Sequence, residues 1–209
     1  MNFKTLNMKK TSLWLSLPLF LAVTAACTNT NTTDTSHDSA MHADSMAMDS
    51  AGSMTGMADK AHADITATKT DTAGSGRAEF TKRDDGTIEL SLNVDFPKMA
   101  NKSVAVHLHE HGDCGDAGKG AHGHWNPTNE AHGKWGSAAY HSGDIGNVQL
   151  DSEGKGTVTV SSNRWTIGGD EKTNVLGRAV IVHSGVDDYK TQPTGNAGSR
   201  IGCGVISGN

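Results

Sequence analysis

Aromatic residues are scarce in this 209-residue chain, at 5% of the total, while glycine is abundant at 25 residues. That balance disfavours a helical bundle and suits short strands joined by many turns. Positive charge is also in deficit: 18 Lys and Arg stand against 23 Asp and Glu, for a formal net charge of −5. A chain with that balance is a poor nucleic-acid binder, so no nucleic-acid partner is expected. A long apolar run is missing too. The stretch Leu13 to Ala22 falls short of the ~20 residues needed to span a bilayer. Cysteine is limited to Cys27, Cys114 and Cys203. The length allows one domain plus appendages.

The first 26 residues read as a targeting segment. Lys4, Lys9 and Lys10 form a basic start, an apolar stretch follows, and Thr24-Ala25-Ala26 places small residues before Cys27. The arrangement resembles a bacterial lipoprotein cleavage box, with Thr24 where Leu is usual. The expectation is lipidation at Cys27 and a mature protein anchored to a bacterial membrane in the periplasm or cell envelope. The alternative is plain secretion with a spare thiol. With Cys27 lipidated, Cys114 and Cys203 remain, and an even pair in an oxidising compartment is expected to form a disulfide. Loss of the three leader lysines takes the mature chain to −8, of which residues 27–64 carry −5 and residues 65–209 only −3.

Residues 27–64 are mostly Thr, Asn, Asp, Ser, Ala and Met. Such a segment has too little apolar surface to offset its ordering entropy, so a disordered tether is expected. Met41, Met46, Met48, Met54 and Met57 are interleaved with His37, His42 and His62. Thioethers and imidazoles suit copper, Cu(I) above all. The tether reads either as a copper-capturing segment or as a plain linker.

From Ile65 the composition turns globular. Strands are expected near 65–70, 77–82, 87–94, 102–109, 145–151, 156–162, 178–183 and 201–206, the clearest being the strict alternation of Thr87 to Val94. Arg83-Asp84-Asp85-Gly86 carries the Asp-Gly hairpin signal. Eight short strands without helical periodicity imply an all-β fold, an eight-stranded Greek-key barrel or flattened β-sandwich. Two long stretches, 110–143 and 184–200, interrupt the strands, and loops of that length inside a compact domain are usually functional.

Period-two alternation places Val104, Val106 and Leu108 on the core face of their strand, with His107 and His109 opposite. Val180 and Val182 likewise oppose Ala179, Ile181 and His183. The three histidines therefore belong to the outside of the barrel wall, roofed by the two long loops. His122, His124, His132 and His141 with Asp144 lie in or beside the first of those loops. Trp125, Trp135 and Trp165 read as packing residues.

The pieces His107-Leu108-His109, Gly123-His124-Trp125-Asn126-Pro127, His132-Gly133, His141-Ser142-Gly143-Asp144-Ile145-Gly146-Asn147, Val182-His183 and Gly195 to Ile206 resemble, in that order, the copper/zinc superoxide dismutases. The resemblance covers 65–209 and includes a matching cysteine pair and Arg200. It implies one copper per chain on His107, His109, His124 and His183, and one zinc on His124, His132, His141 and Asp144. His124 is then the shared ligand. Four imidazoles suit Cu(II), and three imidazoles with a carboxylate suit tetrahedral zinc. The implied reaction is dismutation of superoxide anion, with His124 passing a proton and Arg200 attracting the anion. Asp187 matches a carboxylate linking a copper histidine to a zinc histidine. His111 and His122 fall outside the ligand set and read as solvated loop residues or as a route for copper entry. Lys190 is a candidate guiding charge. A homodimer is compatible with this reading. The competing reading is a non-enzymatic copper-binding or copper-delivery protein on the same scaffold.

Overall fold

The computed structural model describes residues 58–209, and the leader, Cys27 and the methionine cluster lie outside the described residues. Eight strands form: β1 (Lys60–Ala67), β2 (Ser75–Lys82), β3 (Ile88–Asp95), β4 (Ser103–His109), β5 (Gly146–Gln149), β6 (Lys155–Ser162), β7 (Ala179–His183) and β8 (Arg200–Val205). The last seven overlap their expected ranges closely, whereas the first, expected at 65–70, begins five residues earlier and ends at Ala67, with 68–70 in a turn. A two-residue strand, β9 (Ser207–Gly208), adds to β1. All pairings are antiparallel, in the order β5-β4-β7-β8-β1-β2-β3-β6. The β3–β4 and β6–β7 connections cross between distant places in that order. The β5–β6 turn joins the two edge strands, with Asp151 N–H donating to Lys155 O at 2.8 Å. The result is a nearly closed Greek-key barrel. Among the described residues no helix is long and apolar enough to cross a membrane.

The tether's expected boundary at residue 64 needs correction. β1 begins at Lys60, and Ala61 and Ala63 are fully buried in the core beside Ile65. Their methyl groups are too small to read as a strand in the sequence, but they alternate inward like any strand residue. The Asp-Gly turn forms as expected: Arg83 N–H reaches Thr87 O at 2.8 Å, and Gly86 takes φ +83°.

The barrel interior holds Phe80, Leu90, Leu92, Val104, Val106, Leu108, Val180 and Val182 with Trp165 at one end. Trp165 meets Phe80 edge to face, with ring centroids 6.0 Å apart, and donates its indole N–H to Ser142 O at 2.9 Å. A second apolar group lies on the far side of the wall: Ala179, Ile181, Cys203 and Ala121. Ala179 and Ile181 are the outward residues of β7, so the strand is buried on both faces. The first long loop covers that outer face, and the Cys114–Cys203 disulfide ties it to β8.

Candidate metal centre

Three chain segments converge above the wall of β4 and β7. Leu108 N–H donates to Gly143 O at 2.8 Å, Gly143 N–H to Trp125 O at 3.0 Å, and Trp125 N–H to Leu108 O at 2.9 Å. This triangle sets His107 and His109, His124, and the pair His141 and Asp144 side by side. It needs glycine at its centre: a Cβ on Gly143 would lie 2.2 Å from Leu108 O. The fourth segment is β7, whose pairing with β8 shifts register between Val182 and His183. Such an irregularity re-aims a side chain, and here it sets His183 opposite Arg200.

Two clusters result, and they share one residue. His107, His109, His124 and His183 bring one donor atom each within 4.8 Å of one another, and so do His124, His132, His141 and Asp144. All seven residues are buried, none more than 5% exposed. In the first cluster the His107 and His124 rings lie 3.9 Å apart, and His109 Nε2 faces His183 Nε2 at 3.4 Å. In the second, Asp144 Oδ1 lies 2.8 Å from His124 Nδ1, and Asp144 Oδ2 accepts from the backbone N–H of His141 at 2.8 Å and Gly133 at 3.1 Å.

The ring nitrogens sort into an outer set that is held and an inner set that is free. His107 Nε2 and His132 Nε2 donate to opposite oxygens of Asp187, at 2.8 and 2.9 Å. His109 Nδ1 donates to His122 O at 2.9 Å, and His183 Nδ1 leans toward Gly198 O at 3.5 Å. Four of the inner nitrogens are orphans. Buried side-chain polar atoms normally find a partner. Yet His107 Nδ1, His124 Nε2, His132 Nδ1 and His141 Nδ1 have none, against one other such atom, Asp95 Oδ1, among the described residues. His132 Nδ1 and His141 Nδ1 do approach Asp144, at 3.0 and 3.2 Å, but without hydrogen-bond alignment. Inward lone pairs with outward N–H groups anchored on carbonyls or carboxylates are how histidines are held for metal binding. The residues present therefore fit two metal ions.

Electrostatics separates the clusters. Burial pushes His109 and His183 well below the ordinary imidazole range, helped by neighbouring imidazoles. Burial is also the main cause that takes His124 down to about 4, against the pull of Asp144. For His132 burial acts in the same direction, but Asp144 and Asp187 together outweigh it and raise the imidazole to about 9. Both carboxylates are correspondingly held far below the usual range, their histidine contacts overcoming burial.

Asp187 is positioned by Asn147 and Gly195, which stand at the ends of two of the motif pieces but whose role toward Asp187 no local pattern reveals. Asn147 Oδ1 accepts its N–H at 2.8 Å, and Asn147 Nδ2 donates to its carbonyl at 2.9 Å. Gly195 (φ +65°) passes so close that a Cβ there would lie 1.9 Å from Asp187 Oδ1. Gln192 clamps His132 from both sides: its Oε1 accepts the His132 N–H at 2.8 Å and its Nε2 donates to the His132 carbonyl at 2.9 Å. Gln192 is 60 residues away in sequence and belongs to no motif, so nothing in the chain's pattern points to it.

A cavity of about 290 Å³ opens onto the first cluster, lined by His109, His183, Thr194, Asn196, Gly198 and Arg200. The Arg200 guanidinium sits at its wall, its two amino groups donating to the carbonyls of Gly118 and His122. Lys190 is exposed and is not among the lining residues. Trp125 and Trp165 are buried and Trp135 partly so, as packing residues should be. His111 and His122 stand outside both clusters and are exposed.

An antiparallel barrel carrying two buried clusters joined through one imidazole defines a class, that of β-barrel dinuclear metalloproteins. Comparison with known proteins narrows the class. A family profile described as copper/zinc superoxide dismutase (SODC) matches residues 74–206. A Cu-Zn superoxide dismutase of Aquifex aeolicus is 38% identical over 152 residues, covering 70% of this chain and 86% of that protein. Among solved structures, the clock protein EA4 superposes with a TM-score of 0.64 at 29% identity, covering 74% of this chain and 97% of that one. A double mutant of a superoxide dismutase-like protein from Bacillus subtilis gives 0.61 at 30% identity, covering 69% and 95%. The chain belongs to the copper/zinc superoxide dismutase family, whose members bind copper and zinc.

Proposed function

We propose that the protein is an active copper/zinc superoxide dismutase, converting two superoxide anions and two protons into oxygen and hydrogen peroxide. The observation that carries this reading is His124, buried and common to both clusters, with Nδ1 2.8 Å from Asp144 Oδ1 and Nε2 without a hydrogen-bond partner. His107, His109, His124 and His183 would hold one copper ion. His124, His132, His141 and Asp144 would hold one zinc ion. Copper supplies one-electron exchange with the substrate, which zinc, having no redox chemistry, cannot.

The chain's own residues do the rest. Arg200 presents a fixed positive charge at the cavity wall, where a small anion entering toward His109 and His183 must pass. His124 Nε2 faces the cluster with no hydrogen-bond partner, so it is the atom placed to carry a proton to the reduced substrate. Asp187 holds His107 and His132 in the tautomers that leave Nδ1 free on each, and so couples the orientation of the two clusters.

The runner-up is a copper-binding or copper-delivery protein without turnover. Similarity to a protein named only as superoxide dismutase-like keeps it in view. The complete set of seven ligands plus Arg200 favours the enzyme. Dismutation measured by stopped flow after reconstitution with both metals decides between them. Turnover well above free buffer supports the enzyme, and copper uptake without turnover refutes it.

We further propose that Cys27 carries a lipid and holds the domain at a bacterial envelope membrane, facing the periplasm or exterior. Mass spectrometry of the mature N-terminus checks this, and an N-terminus without acyl chains removes it.

A further inference from the structure

We infer that Glu110, His111 and His122 form a third metal site, exposed and exchangeable, which takes a divalent transition ion such as Zn(II) or Cu(II) from solvent. Beyond β4 the chain continues to pair with the segment that follows Ala121. His109 bridges His124, Glu110 N–H donates to Gly123 O at 3.1 Å, and His111 N–H donates to Ala121 O at 3.2 Å. One end of this short ladder supplies His109 and His124 to the buried clusters. The other end sets His111 beside His122, with ring centroids 4.7 Å apart and the planes crossing at 87°. One donor atom each from Glu110, His111 and His122 lies within 4.8 Å of the others.

The backbone also fixes where the His122 side chain stands. His122 adopts φ 60°, ψ −140°, a backbone conformation that side-chain-bearing residues rarely take and that is kept where the surroundings impose it. Its carbonyl is turned inward, accepting from His109 Nδ1 and from Arg200. Its imidazole is left outside, against His111. The backbone is thus held in place before any ion arrives, which lowers the ordering cost of binding.

Two imidazoles and a carboxylate are a donor set that suits Zn(II) and Cu(II) and disfavours Mg(II) and Ca(II), which want oxygen alone. With both histidines exposed and only three protein ligands, water completes the shell and the ion can leave. This distinguishes the site from the two buried clusters. An ion there would be joined through the His122 carbonyl to His109 and Arg200, so it would brace the segment that holds both.

Calorimetric titration of Zn(II) into the full chain, already replete with copper and zinc, tests the site. One further equivalent is expected, weakened at least ~10-fold by His111→Ala and again by Glu110→Gln. Uptake unchanged by both substitutions would place the ion elsewhere on the chain and overturn the inference, as would no uptake at all. A footprint on the unsubstituted protein guards against misfolded variants. In the replete protein diethyl pyrocarbonate should label the exposed His111 and His122, and added Zn(II) should protect the two together. Labelling that Zn(II) does not alter would refute the site.

Discussion

The two clusters that share His124 are built from different material. Three of the four residues in the first, His107, His109 and His183, stand on β4 and β7, in the middle of the hydrogen-bonded wall. Three of the four in the second, His132, His141 and Asp144, belong to the long loop between β4 and β5. Their charge differs as well. In the metal-free protein burial keeps the strand-borne imidazoles neutral, whereas two carboxylates raise the His132 imidazole to about 9, a proton that an ion bound at Nδ1 would displace. The wall can present the first cluster as soon as the barrel forms. The second depends on what pins the loop: Asp144, Gln192, Asp187 and the disulfide. Under the proposed activity, the contrast divides the site into a wall-borne copper cluster and a loop-borne zinc cluster, and four experiments test it.

Substitution of a ligand in each cluster should have the largest effect. His183→Ala is expected to reduce dismutation to background while zinc remains bound. His132→Ala should lose zinc but keep copper and much of the activity near neutral pH. Metal analysis alongside stopped-flow rates reads both. Equal loss of activity in the two variants at full copper occupancy would erase the division.

Arg200 joins the two regions, since it rises from β8 but its guanidinium is gripped by loop carbonyls. The chain is net negative overall, so capture of an anion depends on local positive charge. Focused fields of this kind raise on-rates by ~10 to 1,000-fold and weaken with salt. Arg200→Glu should therefore lower kcat/KM by at least ~10-fold with both metals retained. Added salt should slow the parent enzyme and slow the variant less, or speed it up, as screening relieves repulsion. A fully active variant with the parent's salt dependence would end the guidance role.

The disulfide is the covalent tie between loop and wall. It spans 89 residues, for which chain-entropy models give about 4–5 kcal/mol. Cys114→Ser with Cys203→Ser should lower Tm by roughly 10–15 °C, and the loop-borne cluster should lose its metal first. Loss of both metals together on heating would show that the loop is not the weaker part.

The smallest effect concerns the metal-free protein. His109, His124 and His183 have folded pKa values below the ordinary 6.5. Below pH 6.5 the unfolded chain thus binds more protons than the folded one. The stability tied to these neutral rings is present above 6.5 and is lost as pH falls, for His124 down toward about 4. His132 behaves oppositely: its contribution is complete below 6.5 and is lost as pH rises through about 9. Tm of the metal-free protein should peak near pH 6.5, and His132→Gln should flatten only the alkaline side. A parent Tm that does not fall between pH 6.5 and 9 would contradict the charge on the loop-borne cluster.

Alternation and motif order by themselves determined seven of the eight strands, the face of the wall that carries His107, His109 and His183, and the ligand types gathered there. These are local properties, because a strand's inward and outward faces follow from a period of two. Ala61 and Ala63 escaped that reading, being too small to mark a strand until the core closed over them. What only the tertiary structure decided are the relations across long separations: Gln192 on His132, Asn147 and Gly195 around Asp187, and the bulge that turns His183 toward Arg200. The pairing of His111 with His122 belongs to the same group. No local pattern encodes which nitrogen of each ring is held and which is free. That depends on where carbonyls and carboxylates from distant segments arrive, and they arrive only when the barrel wall brings those segments together.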